Sequence, residues 1–167
     1  GTLANLITGD TALRVTNNNG VFDLTNTSNN FTGGITLAGT ASGTRMRFTS
    51  ADSFASMGSG AITIGESATD KAGIYIVSGN NTLTNDIIFN TVLGTDRPGI
   101  RVDTTNVTFS GDITANQSDA LFSTNSTGTA TLTGQVTGTN GLTLDNTFGT
   151  SITVTLNNAA ENNDYAG

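Results

Sequence analysis

Apolar and polar residues alternate in short runs along the whole chain. Leu13-Arg14-Val15, Phe22-Asp23-Leu24, Ile35-Thr36-Leu37 and Met46-Arg47-Phe48 open the series. Ile62-Thr63-Ile64, Ile74-Tyr75-Ile76, Ile87-Ile88-Phe89, Ile100-Arg101-Val102 and Val107-Thr108-Phe109 continue it. Leu142-Thr143-Leu144 and Ile152-Thr153-Val154-Thr155-Leu156 close it. Residues i and i+2 of a strand share a face, so each run predicts a strand with one apolar and one polar side. The connecting stretches are Gly, Asn, Ser and Asp, which suit turns through positive φ or local side-chain hydrogen bonds. No segment holds a 3.6-residue apolar period for long; Ser50 to Met57 predicts one helical turn and no more.

The strands are evenly spaced. Ile62, Ile74, Ile87, Ile100 and Ile113 start strands 12, 13, 13 and 13 residues apart. A second marker recurs at twice that distance, fullest in Phe31-Thr32-Gly33-Gly34-Ile35-Thr36. Looser copies begin at Met57, Leu83, Phe109 (Phe109-Ser110-Gly111-Asp112-Ile113-Thr114) and Leu132, at intervals of 26, 26, 26 and 23 residues. Self-similarity at this period denotes a solenoid, a propeller or an array, and a propeller blade needs about 40 residues or more. A 26-residue unit of two or three short strands is one coil of a parallel β-helix. Such a coil cannot bury its apolar side alone, and stacking makes one continuous core. Asn at repeated corners would bond to the adjacent coil's backbone. An antiparallel sandwich is the competing fold, because Asn19-Gly20 and Asn140-Gly141 are good hairpin dipeptides. The shared period of strands and Gly motifs favours the β-helix.

Composition narrows the function classes. Thr, Asn, Gly and Ser make up 87 of the 167 residues, and charged residues are only 11%, against about 25% in an ordinary soluble domain. There is no cysteine and no histidine, which excludes Cys/His zinc sites, a catalytic Cys, a Ser-His-Asp triad and disulfides. A net charge of −7 with six basic residues argues against nucleic acid or an anionic membrane as partner. No apolar run approaches the ~20 residues of a membrane span, and membrane insertion is not expected. The chain opens on Gly rather than Met and shows no signal segment, so a processed or excerpted piece of something longer is expected.

The two ends fit each other as sequence. Asn163-Asp164-Tyr165-Ala166-Gly167 read into Gly1-Thr2-Leu3 repeats the order of Asn30, Phe31, Thr32, Gly33, Gly34, Ile35. Tyr165 then stands where Phe31 stands, and the marker is cut between its two glycines. Neither end carries an amphipathic helix, a Pro or a Lys-rich strand to cover an open edge. Gly1, Thr2, Leu3, Tyr165, Ala166 and Gly167 are therefore the expected assembly edges. A contact of one end on the other is heterologous and builds a filament.

Asn29-Asn30-Phe31-Thr32-Gly33-Gly34-Ile35-Thr36-Leu37 and Gly58-Ser59-Gly60-Ala61-Ile62-Thr63-Ile64 resemble the autotransporter-associated beta-strand repeat. The resemblance covers about residues 26 to 66 and the end-to-start junction; elsewhere it is compositional. It implies a parallel β-helix in a large bacterial surface or secreted protein, usually the exported passenger part.

Candidate chemistry is sparse. Asp96, Arg101 and Asp103 are the acids and base that a polysaccharide-degrading β-helix would have to bring together; a charged turn and a solvated strand face explain them more simply. Arg45 and Arg47 flank Met46 on one outward face and suit ion pairs across coils better than an acidic glycan. The scattered Asp residues form neither a Gly-Gly-x-Gly-x-Asp tandem nor an EF-hand loop. Asn-x-Ser/Thr occurs at Asn26, Asn30, Asn80, Asn106, Asn116 and Asn125, close to chance in so Thr-rich a chain. Gly33-Gly34 and Gly58-Ser59-Gly60 lack the Gly-Lys-Ser/Thr of a phosphate cradle.

The expectation is one all-β domain over residues 1–167, a right-handed parallel β-helix of about six to seven coils with uncapped ends. No catalytic, cofactor or metal residue is assigned, and no enzyme activity is expected. The expected role is a structural repeat unit of an extracellular fibre or surface stalk. Its expected partner is itself, head to tail, as homopolymer or tandem repeat. Phe31, Gly33, Gly34, Ile35, Phe109, Gly111 and Ile113, with Asn30, carry the repeat. The alternative is a glycan-binding adhesion module, which requires exposed aromatics or a loop standing off the column in the 33-residue intervals on either side of Tyr165.

Overall fold

The computed structural model describes residues 1–16, 20–39, 44–91, 99–103, 105–117, 119–124, 127–145, 153–158 and 163–165. The chain winds as a parallel β-solenoid. In chain order the elements are β1 (Thr2–Leu3), β2 (Leu13–Thr16), β3 (Gly20–Leu24), β4 (Ile35–Ala38), β5 (Thr44–Phe48), α1 (Ala51–Ala55) and β6 (Ile62–Ile64). Then come β7 (Ala72–Ile76), β8 (Asn81–Leu83), β9 (Ile87–Phe89), β10 (Ile100–Val102), β11 (Asn106–Phe109) and β12 (Ile113–Ala115). The last are β13 (Ala120–Thr124), β14 (Thr129–Leu132), β15 (Val136–Gly138), β16 (Leu142–Asp145), β17 (Thr153–Leu156) and β18 (Asp164–Tyr165).

Three sheets form the sides of the column. The first runs β1-β3-β5-β7-β10-β13-β16 and the second β2-β4-β6-β9-β12-β15-β18, each seven strands deep. The third, β8-β11-β14-β17, is four deep. Every described pairing is parallel, which excludes the sandwich and agrees with the six to seven coils expected. One coil advances 21 residues between Thr2 and Asp23 and 28 between Thr44 and Ala72. Asn140-Gly141 turns a corner between β15 and β16 rather than a hairpin. The helical turn expected near Ser50 is α1, which packs against β5 and β8. It covers the outer edge of the third sheet, where the Asn81 side chain donates to the Ala51 carbonyl.

The alternation places one residue of each pair in the core. Ile35, Ile62, Ile87, Ile113 and Val136 pair in one inward column of the second sheet. Met46, Ile74, Ile100 and Phe122 do the same in the first, and Leu83, Phe109 and Leu132 in the third. All of these are buried. Phe109 meets Phe122 edge-on at 5.4 Å, so the inward columns of two sheets interlock across the axis.

Corners are tied from coil to coil by polar side chains. The Asn29 carboxamide accepts from Ile7 N at 2.9 Å and donates to Ser56 O at 3.0 Å, joining the coil before it to the coil after. Asn85 donates to the Gly58 and Gly60 carbonyls, and Asn80 Oδ1 accepts from Thr105 Oγ1 and Asn106 N. Each bond satisfies a backbone or side-chain group of a neighbouring coil that has no strand partner. This is why the corners are rich in Asn yet carry little charge.

Candidate functional site

The repeat residues mark the same corner in successive coils. Phe31 is buried, and its carbonyl accepts from Ser59 N just after Met57. The same bond recurs from Ser110 N to Leu83, from Thr133 N to Phe109 and from Asn157 N to Leu132. Asn30, exposed beside Phe31, donates its backbone N–H to Ile7 O. Gly33 lies against the Asp10 and Thr11 backbone, where a Cβ would stand 2.6 Å from the Asp10 carbonyl. Gly34 adopts φ +81° directly over Ala61, the left-handed region that disfavours side chains. Gly111 sits on the Asn85 carbonyl, and Gly134 sits in turn on Gly111. Ile35 and Ile113 enter the core from this corner. The motif is thus a packing device: an apolar plug, a corner too tight for a Cβ, and the first inward residue of the next strand.

The expected equivalence of Tyr165 with Phe31 does not hold. Leu132 pairs with Leu156, which takes the marker's place 24 residues on. Tyr165 pairs instead with Gly138 in the second sheet, in the column that holds Ala115, Phe89, Ile64, Leu37 and Val15. The reason is corner length: the seventh coil already has its third-sheet strand in β17, so the chain reaches the second sheet at β18. Ala166 and Gly167 lie outside the described residues.

The expected assembly edges stand at opposite ends of the column. Gly1, Thr2 and Leu3 form the first edge, where the Gly1 ammonium donates to Val21 O at 2.5 Å and Leu3 pairs with Leu24. Tyr165 belongs to the last rung. In that rung Leu144 and Leu156 are 49% and 44% exposed, although they continue the inward columns of Phe122 and Leu132. Among the described residues no strand pairs on their outer side. Leu6, beside the first rung, is 58% exposed. These three are the exposed large hydrophobics among the described residues, and no described aromatic side chain is among them.

Two ion pairs lie on the outer side of the first sheet, one across coils and one along a strand. Arg47 grips Asp23 through two bonds of 3.0 and 2.9 Å, the ion pair expected for this face; Arg45 is half-buried beside Gly73. Arg101 donates to Asp103 at 2.6 Å and lies 4.9 Å over the Tyr75 ring, while the Tyr75 hydroxyl donates to Asp103 Oδ2 at 2.7 Å. Burial first, then the bond to Asp103, holds the Tyr75 hydroxyl above its ordinary value. The Asp103 oxygens are therefore engaged as acceptors in a clamp between adjacent rungs. Asp96 lies outside the described residues. Among the described residues no three His, Cys, Asp or Glu side chains group to hold a metal ion, and no helix is long and apolar enough to cross a membrane.

Asp119 closes a further corner. Its carboxylate accepts from Gly141 N at 2.8 Å and from the Thr143 hydroxyl. These bonds, the one from Thr143 most strongly, hold it below the usual carboxylate value. Its contribution to stability is full above the ordinary Asp value of about 3.9 and is lost as pH falls through the lower folded value. Asp119→Asn is expected to melt below the parent at pH 7 and to converge with it in strong acid, as followed by circular dichroism. Parallel melting curves at all pH values would contradict this.

Compared with known proteins, the chain matches no family model, no curated protein and no solved structure.

Proposed function

We propose that the chain is a structural unit of an extracellular bacterial fibre or surface stalk, and that it works by stacking end on end. The single observation that carries this reading is the continuous parallel column, whose outermost described strands pair on one side only. At the last rung the inward-column side chains of Leu144 and Leu156 are exposed, and among the described residues no strand pairs on the outer side of β1, β2, β16, β17 or β18. Open strand edges of this kind are templates for further strands, and a non-closing contact propagates. The resemblance of residues 26 to 66 to autotransporter-associated repeats supports a surface or secreted location. The interior supports a mechanical role: Asn29, Asn80 and Asn85 tie coil to coil, and Tyr75 and Arg101 both bond to Asp103. The adhesion reading asks for exposed aromatics or a loop standing off the column; no described aromatic side chain is exposed, and residues 146–152 and 159–162, where such a loop would fall, lie outside the described residues.

Sedimentation velocity over a concentration series, with negative-stain imaging, tests the proposal. Elongation into unbranched rods of constant width is expected as concentration rises. A monomer at every concentration would overturn it.

A further inference from the structure

We infer that the partner at each end of the column is a second copy of this chain, docked in one register that sets Arg14 of one copy over Asp164 of the next. This rests on the assembly reading above and adds to it which copy, which strands and which charges.

The outward column of the second sheet is Arg14, Thr36, Thr63, Ile88, Thr114, Thr137 and Asp164. It carries a cation at one end, an anion at the other and no charge between. When β2 of a second copy is laid on β18, the column continues and the two charges meet. A slip of one residue would turn every inward side chain outward, so strand pairing and charge select the same register. The first sheet agrees. Its column from Thr2 and Asp23 ends at Asp145 beyond Ser123, so β1 of the incoming copy covers β16 and shields Leu144. In the isolated chain Arg14 leans along the column to Glu66, and both side chains are exposed. That pair is screened by solvent and opens readily.

Two charge reversals test the register. Arg14→Asp and Asp164→Arg each set like charges at the junction, and like-charge contacts oppose docking strongly. Each variant alone is expected to raise the concentration needed for elongation at least about tenfold, with an unchanged circular dichroism spectrum. An equimolar mixture restores elongation, because each end then meets its complement and the two variants alternate. Variants that elongate alone as the parent does, or a mixture that fails to restore elongation, would overturn the register while leaving end-on assembly standing. A parent chain that never elongates would overturn the assembly reading and the register with it.

Discussion

Phe122→Ala is expected to lower the free energy of unfolding by about 4 kcal/mol, the range of a fully buried aromatic truncated in a core that cannot close around the gap. Phe122 stands in the inward column between Ile100 below and Leu144 above. It meets Phe109 edge-on and lies 6.5 Å from Phe89, so it joins all three sheets across successive rungs. The ladders above and below fix the spacing of the rungs, and the lost volume is not recovered by collapse. Phe22→Ala in the second rung of the same column removes a half-buried ring and is expected to cost about half as much or less. Urea unfolding of both variants, followed by circular dichroism, measures the difference. Equal losses would mean that the interior does not act as a stacked column.

Gly111→Ala is the second large effect, about 3 kcal/mol, although the change adds only a methyl group. A Cβ at Gly111 would stand closer to the Asn85 carbonyl than the 3.0 Å that real Cβ atoms keep, and the obstacle is backbone. Relief requires the corner to move, and Gly134 rests on that same corner. Gly9→Ala is the control. Its φ is +73° but nothing lies within 4 Å of the added carbon, so only the backbone term of about 1 kcal/mol applies. The same unfolding measurement separates the two. A Gly111 variant no worse than the Gly9 variant would show that the corner is not the close-packed element described here.

The solenoid was legible in the sequence because its signals repeat. Alternation named the faces of β2, β4, β6 and β9, and the spacing of Ile62, Ile87 and Ile113 matched their pairing in one column. β13 and β14 were less visible. Thr129-Ala130-Thr131 carries no large apolar residue, and its inward Ala130 is buried because larger neighbours fill the space. The glycines were seen as a period, but their cause is contact between coils, which spacing does not display. The likeness of Tyr165 to Phe31 misled for a related reason. A motif records residue types, whereas a solenoid sets position by corner length, and Leu156 had already filled that place. That Arg101 and Asp103 share a face follows from their i, i+2 spacing, while their ion pair and the part of Tyr75 needed the structure.

The most direct test of the account is the power spectrum of the assembled rods by electron cryo-microscopy. Seven rungs at about 4.8 Å predict a strong meridional reflection near ~4.8 Å and an axial unit of about 34 Å, with strands perpendicular to the rod. Rods lacking the ~4.8 Å meridional reflection, or an axial unit unrelated to seven rungs, would contradict end-on continuation of the β-column.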